Sequence, residues 1–386
     1  MKNVADTETY TVFDHVLSKT VRSLSHVVGL RKITQPFWAR WLASGIRPEV
    51  IFQFLDEMGT IDGWATAAER IVSEEIRRFQ DLSPSLPQGQ RAAKLRELSY
   101  ICNLAQWGSL PITEDRKRLY AQCRDFYIEA ETLVFTQSYR RVEVPFEDVL
   151  LHANLHLPHG RPKPLIVIVH GVDGCKEEFL ATELALLEQG FSVLGFDGPG
   201  QAEALLLDGI HWRKTFPSSV SAAIDAVQKL HVADTSSVGL LGISIGGMWA
   251  LQASAQDPRI KAVYDLGGPI NTLRRYSALP FLIKTRICQV TGANDIVSVK
   301  RALAENANED EATLNRITAS VRMMHGSRDR VVSIADKEWL LAKLKAGHPE
   351  RPATLRVLEG GDHCCTNQAD VVREDMITFF KSTLAP

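Results

Sequence analysis

The sequence lacks the features that mark several large classes of protein. Its formal net charge is only −2, so no excess of positive charge is available to neutralise the phosphates of a nucleic acid or an anionic lipid. No uncharged apolar stretch reaches the roughly 18 residues that a membrane-spanning helix requires. The first residues also lack the basic segment and apolar run of a secretory signal. We therefore expect a cytoplasmic protein that has neither nucleic acid nor a membrane as a partner.

The six cysteines are scattered along the chain and form no CxxC pair. This spacing argues against a disulfide framework and a structural zinc site, so we expect reduced thiols, no metal and no cofactor. Hydrophobic residues make up 45% of the chain and charged residues 23%, which is typical of a globular protein with a large core. At 386 residues the chain exceeds one domain of roughly 200 to 250 residues, so an additional region is expected.

The additional region is predicted to be residues 1–138, where apolar residues recur at helical spacing. Gly59 and Gly63 weaken one of the predicted helices, and Pro84 and Pro87 indicate a turn-rich connector. Further helices are predicted over about 90–107 and 114–137. Four aromatic residues at helical spacing fit a core better than the lining of a lid, although both interpretations remain open: Trp38, Trp41, Tyr120 and Tyr127.

Residues 139–386 have the pattern of a second, α/β domain. A predicted β-hairpin opens it, and short β-branched runs then alternate with helix-length segments. This alternation indicates a mostly parallel sheet covered by helices on both faces. The gap from about 270 to 316 predicts an excursion over the sheet edge that helps to cover a site. The predicted strands after the hairpin are 165–169, 192–196, 238–241, 260–264, 321–324 and 354–358.

A Gly-x-Ser-x-Gly motif lies between a predicted strand and a predicted helix, with Ser244 at its centre. In the nucleophile elbow of α/β hydrolases, the serine occupies a sharp strand-to-helix turn with strained dihedral angles. Gly242 and Gly246 supply the small residues that let such a turn close. Ser244 is therefore predicted to be the nucleophile of an α/β-hydrolase-fold enzyme. The alternative is a glycine-rich turn with an inert serine.

A serine hydroxyl needs a base, and in this fold an acid and then a histidine follow the nucleophile along the chain. Asp329 and His363 occur in that order, each on a loop after a predicted strand. We predict that His363 takes and returns the proton while Asp329 orients the imidazole. Three other residues fit these roles less well: Asp362, which is more typical of a turn; His325, which breaks the chain order; and His170, a structural or pocket histidine.

The negative charge that develops on the substrate oxygen must be stabilised by backbone amides. Ile245, directly after the nucleophile, and Val172, in the loop after strand 165–169, are the predicted donors. Substrate contacts are expected at Asp173, Gln201 and Tyr120, although the segment from Asp197 to Gln201 is equally typical of a turn. The cysteines beside His363, Cys364 and Cys365, are expected to be buried small apolar residues.

Three segments resemble one branch of the α/β hydrolases, the fermentation-respiration-switch esterase-like group: residues 171–178, 196–201 and 242–247. This group includes 2,6-dihydroxypseudooxynicotine hydrolase and fungal polyketide chain-shortening hydrolases. The resemblance implies hydrolysis of a carbon–carbon bond next to a ketone, or of an ester, in a bulky aromatic or polyketide-type small molecule. It also implies that the N-terminal helices form a lid and a homodimer contact. No counterpart of the extra pocket acid of one relative is identified.

Two other functions remain open on the same fold. In one, a lyase or cyclase of natural-product biosynthesis uses His363 as a base and Ser244 to hold an oxyanion. In the other, the protein is a non-catalytic receptor for a small molecule, which the complete triad argues against.

Overall fold

The structure is a computed structural model that describes residues 30–384 except 59–63, 110, 161–162, 280, 294, 306–310, 348 and 351. The interruption expected at Gly59 and Gly63 lies outside these residues. The predicted connector at Pro84 and Pro87 contains a short 3₁₀ turn. Among the described residues, the N-terminal part forms five α-helices: α1 (Leu30–Ala43), α2 (Pro48–Met58), α3 (Trp64–Leu82), α4 (Gln88–Gly108) and α5 (Glu114–Phe135).

The N-terminal helices bury an aromatic-rich core. Trp41, Phe54, Trp64 and Trp107 are each at most 5% exposed and pack with aliphatic residues of α2 to α5. Helix α5 begins where the Thr113 hydroxyl accepts the amide hydrogen of Arg116, which satisfies one unpaired donor of the first turn. These helices therefore have a hydrophobic core of their own.

An eight-stranded sheet follows in the order β1-β2-β4-β3-β5-β6-β7-β8. The pairs β1–β2 and β2–β4 are antiparallel, and the remaining pairs are parallel. Every strand predicted from the sequence is present, and the predicted fold class is confirmed. The strands are β1 (Tyr139–Phe146), β2 (Val149–His156), β3 (Lys163–Val169), β4 (Phe191–Asp197), β5 (Asp234–Ile243), β6 (Ile260–Leu266), β7 (Ser320–Gly326) and β8 (Ala353–Leu358).

Helices cover both faces of the sheet and bury two apolar clusters, one on each face. In its described residues, the predicted excursion contains a 3₁₀ turn and three short helices, Phe281–Thr291, Ile296–Glu305 and Glu311–Arg316. None of the helices that the structure describes is long and apolar enough to span a membrane. The helices are α6 (Leu180–Glu188), α7 (Ala202–Leu206), α8 (Phe216–Leu230), α9 (Ile245–Ser254), α10 (Phe281–Thr291), α11 (Ile296–Glu305), α12 (Glu311–Arg316), α13 (Ile334–Gly347) and α14 (Ala369–Leu384).

The carboxyl ends of the parallel strands meet at one edge of the sheet. The loop after β3, the turn after β5 and the loops after β7 and β8 all begin there. Ligand sites of open α/β sheets lie outside this edge. The topology therefore brings the predicted nucleophile, acid and base towards the loop of residues 170–174 after β3, which we call the oxyanion loop.

Candidate active site

Ser244 occupies a sharp turn between β5 and α9. Its backbone has φ 54° and ψ −131°, a conformation that a residue with a side chain rarely adopts. A Cβ on Gly242 would lie 2.5 Å from the Cα of Gly247, and a Cβ on Gly246 would lie 1.9 Å from the carbonyl oxygen of Val169. Only glycine fits at these two positions, which is the steric reason for the motif. The turn lifts the Ser244 side chain above the end of the sheet.

The structure brings Ser244, His363 and Asp329 into one hydrogen-bonded chain. The Oγ of Ser244 is 2.9 Å from the Nε2 of His363, and the Nδ1 of His363 is 2.9 Å from the Oδ2 of Asp329. The other oxygen of Asp329 accepts the amide hydrogens of Val331 and Val332 at 2.7 and 2.9 Å. These bonds fix the acid, and the acid fixes the imidazole with Nε2 facing the serine.

The charges within this chain support one another. Burial opposes the charge of Asp329, but the bond from His363 and the two amides lower its pKa below the ordinary value. Burial also opposes the charge of His363, whereas the neighbouring Cys364 and Asp329 raise its pKa well above the ordinary value. The site thus favours the imidazolium that forms when the base accepts a proton.

The three competing residues have other surroundings. Asp362 accepts the hydroxyl hydrogen of Thr366 at 2.8 Å within its own turn, as a turn residue does. His325 is buried behind Asp329, with its Nδ1 3.9 Å from the carboxylate, and burial lowers its pKa. His170 is fully buried, with its Nε2 2.7 Å from Asp197. His363 is the one of the three histidines that contacts Ser244.

The predicted oxyanion donors border the same space as Ser244. Ile245 is the first residue of α9, where a helix leaves the backbone amide without an intrahelical acceptor. Gly171 and Val172 share a peptide unit, and the Gly171 carbonyl accepts a hydrogen bond from Nε2 of Gln201 at 3.1 Å. Because the N–H of a trans peptide points away from its C=O, this bond fixes the direction of the Val172 amide.

None of the three expected substrate contacts lies on the wall of the cleft that the described residues form. Gln201 is 1% exposed, and its side chain bonds to backbone groups at Gly198, His170 and Gly171. Tyr120 is fully buried, and its hydroxyl lies 3.1 Å from both Glu177 and Asp197. Asp173 bonds to Arg40 and Trp107. These residues are close to the motifs in the sequence, but closeness in the sequence does not show which way a side chain points.

Tyr120 belongs to a buried charge network around Lys176. The ammonium of Lys176 is 2.9 Å from Asp197, 2.9 Å from Glu177 and 2.6 Å from Glu203. Burial opposes its charge, but the three carboxylates raise the pKa of Lys176 well above the ordinary value. The network joins helix α5 to the loop after β3, directly behind the oxyanion loop.

A cleft that is open to solvent borders Ser244. Its walls are mostly apolar, with a few polar groups from residues 271, 272 and 336. Part of the wall comes from the excursion, as the sequence predicted. The described residues that line it are Val172, Ser244, Ile245, Pro269, Asn271, Thr272, Leu279, Ile283, Ile287, Val331, Val332 and Asp336.

Three of the four aromatic residues and all six cysteines are buried, as expected, whereas Trp38 is only partly buried. Trp41, Tyr120 and Tyr127 are at most 4% exposed, which confirms their interpretation as core residues. All six cysteines are buried free thiols. Cys364 and Cys365 both have positive φ, at 57° and 49°, in the turn after His363.

Comparisons with known proteins agree with this architecture. A sequence model described as the prolyl oligopeptidase family matches residues 179–386. A 2,6-dihydropseudooxynicotine hydrolase from Paenarthrobacter nicotinovorans is 27% identical over 335 residues, which are 86% of this chain and 87% of that protein. Hydrolyase poxO from Penicillium oxalicum is 37% identical over 153 residues, but the match covers only 37% of this chain and 36% of that protein.

A solved structure extends the likeness to the N-terminal helices. The crystal structure of the 2,6-dihydroxy-pseudo-oxynicotine hydrolase superposes with a TM-score of 0.77, covering 90% of this chain and 96% of that one. The two sequences are 23% identical in this superposition, so the likeness establishes a shared fold. The family match over residues 179–386 and this shared fold together confirm the sequence-based resemblance to α/β hydrolases.

Proposed function

The chain belongs to the prolyl oligopeptidase family of α/β hydrolases and is a hydrolytic enzyme, and on this premise we propose that it is a serine hydrolase of bulky small molecules. The bond cleaved is a carbon–carbon bond next to a ketone, or an ester, in an aromatic or polyketide-type substrate. The hydrogen-bonded chain of Ser244, His363 and Asp329, with Ser244 on the wall of a mostly apolar cleft, supports this proposal.

The first half of the proposed reaction forms an acyl-enzyme. The Ser244 oxygen attacks the substrate carbonyl while its proton passes to Nε2 of His363. The carbonyl oxygen gains the electron pair and is stabilised by the amides of Val172 and Ile245. The intermediate then collapses, and the leaving group departs with the proton that His363 returns. Water subsequently attacks the acyl-enzyme with His363 as its base, which releases the acid and regenerates Ser244.

The leaving group decides which bond the enzyme can break. An ester releases an oxygen anion, which accepts a proton readily. A carbon leaving group must spread its electron pair onto an adjacent carbonyl or ring before protonation, so simple ketones are poor substrates and β-diketones are good ones. The apolar wall formed by Leu279, Ile283 and Ile287 favours substrates with an apolar or aromatic body.

A fluorophosphonate tests the nucleophile without knowledge of the substrate. Ser244 displaces fluoride from phosphorus, and its proton passes to His363, so the intact protein gains the mass of the phosphonyl group. We expect this mass on the peptide that contains Ser244 and expect none on the Ser244→Ala variant. A folded wild-type protein that resists labelling would contradict the proposal.

The substrate class is tested with a panel of aryl ketones, β-diketones and simple esters, with Ser244→Ala as the inactive control. Reactions in ¹⁸O-labelled water distinguish hydrolysis from elimination or cyclisation, because only hydrolysis places the label in a carboxylic acid product. Turnover without incorporation would favour a lyase or cyclase. If biological activity survived the Ser244→Ala substitution, a receptor function would replace catalysis.

A further inference from the structure

Trp107, at the end of helix α4, contacts both sides of the candidate active site from behind. Its indole Nε1 donates to Oδ2 of Asp173 at 3.0 Å, in the oxyanion loop. Its carbonyl oxygen accepts a hydrogen bond from Arg286 of α10. The indole is 5% exposed and packs against the rings of Trp41 and Phe37, with centroids 5.4 and 4.7 Å away. Its position is therefore fixed by the aromatic core of the N-terminal helices.

The oxyanion loop has a second attachment to these helices through Arg40 of α1. The guanidinium donates to Oδ2 of Asp173 at 2.8 Å and to the Asp173 carbonyl oxygen at 3.2 Å. It also donates to Oε2 of Glu178 at 2.8 Å. Burial opposes the charge of Asp173, but Arg40 and Trp107 lower its pKa. The residue directly after Val172 is thus held through both its side chain and its backbone.

Arg286 connects the opposite wall of the cleft to the same place. It is 4% exposed, and its guanidinium donates to the Trp107 carbonyl and to Gln289. Ile283 and Ile287 line the cleft one turn apart on the same helix, next to the face that carries Arg286. Trp107 therefore anchors both the oxyanion loop and the α10 wall of the cleft.

We propose that Trp107 and Arg40 are positioning residues that hold the Val172 amide in place for catalysis. In the described residues, the lining of the cleft comes only from residues after 171, so these helices act on the chemistry from behind the wall. Gln201 holds the Val172 peptide from the core side, and Asp173 holds it from the helical side. The inference rests on the proposed serine chemistry.

The test measures how fast saturating fluorophosphonate labels Ser244. Trp107→Phe keeps an aromatic ring and the backbone carbonyl but deletes the N–H that reaches Asp173. Losing an oxyanion donor costs roughly 10²- to 10³-fold, so displacing one is expected to slow labelling about tenfold. Trp64→Phe is the matched control, because its indole donates to the Ala105 carbonyl at 2.9 Å within the same aromatic core, away from the loop. Its labelling rate should remain within about twofold of wild type.

A second pair of variants covers the case in which Trp107→Phe does not fold. Arg40→Met should also slow labelling of Ser244 about tenfold. The matched control is Arg96→Met, which removes an ion pair within the N-terminal helices and should leave the labelling rate unchanged. The Arg96 side chain is 22% exposed and the Arg40 side chain 21%. The inference would be overturned if each variant and its control labelled Ser244 at equal rates. It would also be overturned if labelling slowed only in proportion to the loss of thermal stability. An unlabelled wild-type protein would instead overturn the proposed function itself.

Discussion

His156 should make the stability of this protein depend on pH in the alkaline range. The side chain is fully buried on β2, with Nε2 3.3 Å from Glu131 of α5 and Nδ1 2.9 Å from Glu183 of α6. The Nδ1 contact is poorly aligned for a hydrogen bond but is close enough for an ion pair. Burial lowers the pKa of His156, but the two carboxylates raise it to about 9 overall.

The magnitude follows from the difference between the folded and unfolded pKa values. An unfolded histidine titrates near 6.5, so a folded pKa of about 9 is worth about 3 kcal/mol in the free energy of unfolding. Because the folded pKa is raised, this stabilisation is complete below about pH 6.5 and is lost as the pH rises through about 9. About 2.5 kcal/mol should be present at pH 7 and nearly all of it gone at pH 10.

Urea unfolding, followed by circular dichroism at pH 7 and pH 10, measures this loss. The wild-type protein should lose about 2.5 kcal/mol more than His156→Gln between the two pH values. His152→Gln, on the same strand, is the control, because burial lowers the pKa of His152 and leaves it neutral throughout this range. If His156→Gln and the wild-type protein lost equal stability, His156 would not be charged in the folded state.

Two further predictions concern the site itself. Burial lowers the pKa of His363, but Cys364 and Asp329 raise it overall. Because His363 must be neutral to act as a base, kcat/KM should rise with pH, and the midpoint of this rise should lie above about pH 6.5. A pH–rate profile with its midpoint below this value would contradict the assignment. Gly246→Ala should lower the free energy of unfolding, measured by thermal unfolding, by more than about 3 kcal/mol, because the new Cβ would clash with the Val169 carbonyl oxygen. Gly89→Ala, whose Cβ would meet nothing within 4 Å, should be neutral or stabilising, and equal effects would refute the steric argument.

The fold and the Ser244, His363 and Asp329 arrangement were predictable because their signals are local. Each parallel strand is a short apolar run, and the glycines at 242 and 246 are required by the turn in which they lie. The order of acid and histidine then follows from the topology of the sheet. The homodimer and the cytoplasmic location stay predictions.

The attachments behind the cleft were not predictable, because they join residues distant in the chain. Trp107 contacts Asp173 across 66 residues, Arg40 contacts it across 133, and Arg286 reaches Trp107 across 179. In a helical pattern, a tryptophan indicates a core and an arginine indicates a solvated face. Neither identifies the residue that it contacts. For the same reason the sequence did not show that Gln201 and Tyr120 bond to buried groups of the protein.

The Lys176 network limits how this enzyme can diversify. Tyr120 is contributed by the N-terminal helices, whereas Lys176, Asp197 and Glu203 belong to the part that carries the sheet. A chimera that combined this sheet with helices lacking a counterpart of Tyr120 would deprive the buried carboxylates of Glu177 and Asp197 of a hydrogen-bond donor. Recombination within the family should therefore succeed only where both halves are inherited together, and new substrate specificities should arise through changes in the cleft wall.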